Sequence, residues 1–156
     1  IAPTLGELRE NDLVPFRAAV DSGKTAIMVG HVEIPDLSEG MPASLSSQVI
    51  EGLLRDEFNF DGLVVTDALN MQAISQRWSI DEAVVLAVGA GADLMVLGSL
   101  SEVEAAFAAV DKAVYEGMVS VERLNDAAVN VLRAKKLNAC TLIGRVRGFL
   151  NSPYDW

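Results

Sequence analysis

Apolar residues recur along this chain in two rhythms, and the alternation between them predicts the elements. From Leu5 to Val20 the positions Leu8, Leu13, Phe16 and Val20 fall at helical spacing. Pro15 is expected to kink or interrupt that helix, and Asp21-Ser22-Gly23 to end it. Thr25 to Val32 reads as a first strand, followed by a loop from Glu33 to Pro42 rich in Pro, Gly and acidic residues. Ser44 is placed to cap a helix from Leu45 to about Glu57, with Val49, Ile50, Leu53 and Leu54 on one face. Asn59-Phe60-Asp61-Gly62 turns the chain into a second strand, Leu63 to Thr66, whose unbroken apolar run fits burial on both faces. A short helix or loop covers Ala68 to Arg77. Ser79-Ile80-Asp81-Glu82 has the form of a capping box for a helix to about Ala90, with Gly91 supplying its C-terminal turn. Leu94 to Leu97 is the third strand. Ser101-Glu102-Val103-Glu104 reads as a second capping box, opening a helix to Glu116 that Gly117 closes. Ser120 caps a last helix through Leu124, Val129 and Leu132 to about Leu137, with Lys135 and Lys136 where cations favour the helix dipole.

Strand and helix in repeated alternation imply an α/β fold with parallel strands and right-handed crossovers. Three strands cannot close a barrel, and they leave two long apolar edges. The sheet is therefore either small and open or part of a larger barrel whose other strands lie outside the sequence. Thr141 to Trp156 has an Arg pair, Gly and aromatics without periodicity, and residues 139–156 are read as a tail or linker.

Composition narrows the function. With 51% hydrophobic and 22% charged residues, the chain can build a sizeable core. Twelve basic against 22 acidic residues give a net charge of -10, which argues against a nucleic-acid or anionic-membrane surface. The single cysteine, Cys140, cannot form an internal disulfide, and it follows a basic helix end far in sequence from the only histidine, His31. No apolar run reaches the roughly 18 residues of a membrane span. The N-terminus, Ile1-Ala2-Pro3-Thr4-Leu5, has neither an initiating Met nor the regions of a signal peptide, and the chain reads as an excised or processed piece. No Gly-rich phosphate loop opens a helix, and no second His stands at metal-ligand spacing.

Asp67 is the main chemical candidate. It follows Leu63-Val64-Val65-Thr66 directly, and a carboxylate is costly to bury unless it is paired or used. α/β folds put their catalytic groups where a buried strand meets a loop. Spacing alone leaves two roles open for Asp67, a cap for the segment starting at Ala68 or a nucleophile. His31 ends the first strand on the same side, as a hydrogen-bonding pocket residue or as a structural histidine. Met71 could line a pocket or pack in the core. Gly98 and Ser99 end the third strand, where small residues leave room for a ligand, although capping is the ordinary use of Ser99 or Ser101. Glu33 and Asp36 read as solvated loop acids, the other use being contact with a sugar hydroxyl, and Trp78 as a residue that could stack on a sugar ring.

Several segments resemble, in order, the C-terminal half of the (β/α)8-barrel domain of glycoside hydrolase family three. They are Leu13-Val14-Pro15-Phe16, Ala26-Ile27-Met28-Val29-Gly30-His31-Val32 with Pro35, Pro42-Ala43-Ser44-Leu45-Ser46, Leu53-Leu54-Arg55-Asp56-Glu57-Phe58, Phe60-Asp61-Gly62, Val64-Val65-Thr66-Asp67-Ala68-Leu69-Asn70-Met71 and Gly91-Ala92-Asp93-Leu94-Met95. The resemblance covers about residues 5 to 137, and its branch is that of the β-N-acetylglucosaminidases. It implies that residues 1–138 are half of a barrel, that Asp67 is the nucleophile of a retaining glycosidase, and that His31 and Met71 belong to the sugar pocket. It implies terminal β-linked GlcNAc as substrate, in cell-wall muropeptides or chitin-like oligosaccharides, with no metal or organic cofactor. In the family a Lys-His-Phe-Pro-Gly-His-Gly motif and an Asp-Ser-His loop supply sugar contacts and the acid–base pair. Nothing in this sequence matches them, so the proton donor is expected upstream and the partner of this chain is the missing half of the barrel. The alternatives are a non-catalytic, hydrolase-like scaffold or interaction module and a β-glucosidase-type member of the same family.

Overall fold

The computed structural model describes residues 4–137; Cys140 and the predicted tail lie outside the described residues. Three strands, β1 (Ala26–Val29), β2 (Leu63–Ala68) and β3 (Leu94–Val96), form one parallel sheet in the order β1-β2-β3. Ile27 pairs with Val64 and Val29 with Thr66, while Val65 pairs with Leu94 and Ala68 with Val96 across an irregularity. The helices in chain order are α1 (Leu5–Glu10), α2 (Val14–Asp21), the Gln48–Glu57 helix, α3 (Gln72–Ser75), α4 (Ile80–Ala90), α5 (Leu100–Tyr115) and α6 (Val121–Ala134).

The core lies on one side of the sheet. Ile27, Val29 and Val64 are buried in one cluster with Val49, Ile50, Leu53 and Leu54 of the Gln48–Glu57 helix and Val84, Ala87 and Val88 of α4. Each large apolar side chain so buried contributes about 1.5–3 kcal/mol. Strand alternation turns Met28, Val65, Asp67 and Leu94 to the other face. There the apolar side chains are uncovered: Met28 is 61% exposed, and Leu94 and Val96 are each 41% exposed. An apolar cleft flanks each outer strand, about 340 Å³ beside β1 with Leu13, Phe16 and Met28, and about 450 Å³ beside β3 with Leu94, Leu97 and Phe107. The second cleft continues to α5, where Phe107 is 75% exposed.

Several boundaries differ from the sequence reading, each for a local reason. The predicted first helix is two helices, because Pro15 sits in the opening turn of α2, where its missing N–H costs no hydrogen bond. α1 has its own capping box, Thr4 with Glu7. Ser44 does not cap the next helix. It lies in a 3-10 turn, Ala43–Leu45, and its hydroxyl is bonded to His31 instead. The helix that follows begins at Gln48 and is wound with bonds five residues back, as in Phe58 N–H to Leu53 O at 3.0 Å. The cap of α5 is Ser99, not Ser101: Ser99 Oγ accepts from Glu102 N–H, and the Glu102 carboxylate reaches back to Gly98 N–H at 2.7 Å. α6 ends at Ala134. The Ser79–Glu82 capping box of α4 forms as expected, and Gly91 takes the left-handed conformation that closes the helix, with φ 109°.

Candidate active site

β2 runs two residues beyond its predicted end, so Asp67 lies within the strand at its C-terminal end. Asp67 is half-buried on the uncovered face, and its Oδ1 accepts the N–H of Ala68 at 2.7 Å. No other hydrogen bond or ion pair to this carboxylate forms among the described residues.

Ala68 joins the site together. Its carbonyl accepts the N–H of Met71 at 3.0 Å, which closes the turn after the strand. The same carbonyl lies 3.0 Å from His31 Nε2. A carbonyl only accepts, so Nε2 carries the proton. Nδ1 of the same ring lies 2.7 Å from Oγ of Ser44, which is fully buried. His31 itself stands two residues past the end of β1, after Gly30, rather than inside the strand.

Met71 is 45% exposed and precedes α3 as its cap residue, so it is not part of the core. Asn70 is exposed and lies over Gly98, where a Cβ would stand 2.0 Å from its Nδ2. The loop acids are exposed, as expected, and each also has a protein partner. Glu33 pairs with Arg77 at 2.9 Å, Arg77 also donates to the Gly40 carbonyl at 3.0 Å, and its guanidinium lies 4.2 Å over the Trp78 ring. Asp36 accepts from Leu5 N–H at 3.4 Å. These contacts tie the loop after β1 to the connection between α3 and α4 on the rim.

The opposite end of the sheet holds a group to which the sequence reading gave no role. Asp93, just before β3, has a side chain with no exposure. It pairs with Arg55 at 2.8 Å and with Arg123 at 2.5 Å, and accepts Val64 N–H at 2.9 Å and the Asn130 amide at 3.2 Å. Arg55 also donates to the Phe60 carbonyl at 2.9 Å and the Gly62 carbonyl at 2.6 Å. The signal available in the sequence was an acid beside an apolar strand with no helix to cap. Its partners come from remote segments, which no local pattern reports. No cluster of three His, Cys, Asp or Glu side chains suited to a metal forms among the described residues. None of their helices is long and apolar enough to cross a membrane.

The domain described as "Glycosyl hydrolase family 3 N terminal domain" matches residues 2–134. The chain belongs to glycosyl hydrolase family 3. It is 35% identical over 142 residues to the β-hexosaminidase LpqI of Mycobacterium tuberculosis, which covers 87% of this chain and 36% of that protein. It is 30% identical over 147 residues to a β-hexosaminidase of Stenotrophomonas maltophilia, covering 94% of this chain and 37% of the relative. Among solved structures it matches a family 3 β-N-acetylglucosaminidase from a Paenibacillus species with a TM-score of 0.83 and 40% identity, over 87% of this chain and 26% of that one. This family 3 chain thus spans about a third of the length of the relatives it matches. Its three parallel strands and flanking helices are part of the family's barrel domain.

Proposed function

We propose that this family 3 chain carries the nucleophile of a retaining exo-β-N-acetylglucosaminidase, and that the nucleophile is Asp67. The observation that carries the reading is the position of this carboxylate. It stands at the C-terminal end of a barrel strand, on the face turned away from the helices, with one oxygen held by a backbone N–H and the other without a protein partner among the described residues. Barrel enzymes work at that end of their strands. In the reaction proposed, a carboxylate oxygen of Asp67 attacks the anomeric carbon while an acid protonates the leaving oxygen; water then cleaves the glycosyl ester with the same group acting as base. That acid–base group belongs to the strands and loops that complete the barrel. The clefts beside β1 and β3, and the uncovered side chains of Met28, Leu94 and Val96, are the surfaces those strands and their helices would cover.

Terminal β-linked GlcNAc is the proposed substrate, because relatives at 30–40% identity bear the names β-hexosaminidase and β-N-acetylglucosaminidase. A second sugar has one specific support: a Cellulomonas fimi relative, 27% identical over 132 residues, is named β-N-acetylglucosaminidase/β-glucosidase. Comparing kcat/KM on aryl β-GlcNAc and aryl β-glucoside separates the two. The nucleophile is tested in the completed barrel by Asp67→Gly with added azide. Recovery of turnover with an α-glycosyl azide as product supports it, because the small anion then attacks from the vacated side. Unimpaired hydrolysis by Asp67→Gly excludes it. The isolated chain, lacking general-acid assistance worth about 10²–10⁴-fold, should hydrolyse the aryl substrate weakly or not at all.

A further inference from the structure

We infer that His31 is a positioning residue for Asp67, acting through Ala68 and aligned by Ser44, and is not a donor to the sugar. The inference rests on the reading of Asp67 as nucleophile. Both ring nitrogens of His31 are taken up inside the protein, Nε2 by the Ala68 carbonyl at 3.0 Å and Nδ1 by the Ser44 hydroxyl at 2.7 Å. Neither is left for a ligand in this arrangement. A carbonyl that can only accept fixes the proton on Nε2, and in the neutral ring Nδ1 then accepts from Ser44.

What the ring holds is the backbone that holds the carboxylate. The peptide plane after Ala68 is fixed at both ends. Its oxygen takes His31 Nε2–H and Met71 N–H, and its nitrogen, on Leu69, donates to the Val96 carbonyl at 3.0 Å. On the other side of the Ala68 Cα, the Ala68 N–H grips Asp67 Oδ1 at 2.7 Å. Moving Ala68 therefore turns the carboxylate away from the point of attack. The frame behind His31 is also closed. Ser44 sits in the 3-10 turn Ala43–Leu45, Ala43 N–H returns to the Val32 carbonyl at 2.7 Å, and the fully buried Ser38 ties the intervening loop through Ile34 N–H at 2.9 Å. Aligned attack demands this kind of preorganisation, since a displacement of about 1 Å costs on the order of 10²-fold in rate.

The test uses three variants in the completed barrel, His31→Phe, His31→Gln and Ser44→Ala, with a fluorinated GlcNAc glycoside that traps the glycosyl-enzyme. The wild type should be labelled on Asp67. His31→Phe keeps the ring shape but has no donor, and should slow labelling by about 10²-fold with KM for the aryl substrate little changed. His31→Gln returns an N–H near the place of Nε2 and should recover part of the loss. Ser44→Ala removes one hydroxyl and should give a smaller loss. Long-range proton–nitrogen spectra of the full 156-residue chain, which has one histidine, should show the neutral ring as the tautomer with its proton on Nε2. Labelling of Asp67 at the wild-type rate in His31→Phe would overturn the positioning role while leaving the nucleophile standing. A proton on Nδ1 alone would do the same. A rise in KM with kcat preserved would make His31 a sugar ligand and also overturn it. A wild-type label on another residue would overturn the nucleophile itself and this inference with it.

Discussion

Asp67 and Asp93 stand at opposite ends of neighbouring strands in the same sheet, and their surroundings differ in almost every respect. Asp93 is enclosed, with two guanidinium groups, a side-chain amide and a strand N–H around its two oxygens. Asp67 is half-buried and has a single protein hydrogen bond, from the next residue in the chain. A buried carboxylate is tolerable only with its lone pairs satisfied. Asp93 meets that condition and joins β2, β3, α6 and the Gln48–Glu57 helix. Asp67 leaves an oxygen available, which is of use to chemistry and of little use to stability. One end of the sheet ties a carboxylate into the fold, and the other leaves a carboxylate oxygen open, as the proposed nucleophile requires.

The sharpest way to break this comparison is to remove each carboxylate in turn. Asp67→Ala should abolish turnover in the completed barrel and leave the unfolding free energy from urea titration within about 0.5 kcal/mol of wild type. Asp93→Ala should destabilise by about 3–5 kcal/mol, because Arg55 and Arg123, with side chains only 16% and 17% exposed, lose their shared counter-charge. A large stability loss from the first variant, or a small one from the second, would reverse the division of labour. Two glycines sharpen the same contrast. A Cβ at Gly62, by the Asp93 end, would stand 2.5 Å from the Phe60 ring and 2.7 Å from the Thr25 carbonyl, so Gly62→Ala should cost about 1–3 kcal/mol in thermal unfolding. A Cβ at Gly98, by the Asp67 end, meets the movable amide of Asn70, so Gly98→Ala should change stability by less than about 0.5 kcal/mol.

The smallest effect belongs to the rim of the helices. The Ser79 backbone and hydroxyl hydrogen bonds hold the Glu82 carboxyl below its usual range. A carboxyl lowered in the folded state adds stability above its unfolded pKa and loses it as pH falls through the folded one. Glu82→Gln should therefore be less stable than wild type at neutral pH, and the two urea midpoints should converge on acidification. A gap that widened toward acid pH would contradict this.

Features carried by short-range pattern were legible in the sequence. The three strands, the Ser79–Glu82 box, the Gly91 turn and the parallel order each depend on residues close in the chain or on alternation of elements. The position of Asp67 at a strand end was legible as well, since the apolar run before it leaves little choice. Features set by distant partners were not. Ser44 has the composition of a cap, yet His31 claims its hydroxyl from 13 residues away. Asp93 gathers Arg55 and Arg123 from 38 and 30 residues away. Ser101 and Ser99 offer the same chemistry two residues apart, and the choice follows from where Glu102 can reach Gly98.

The central claim is that Asp67 forms the bond to the sugar, and the most direct measurement is the mass of the trapped enzyme. The completed barrel, treated with a fluorinated GlcNAc glycoside and digested, should yield one peptide heavier by the glycosyl group, with the added mass on Asp67. The added mass on any other side chain, in a protein that still turns over substrate, would contradict the account.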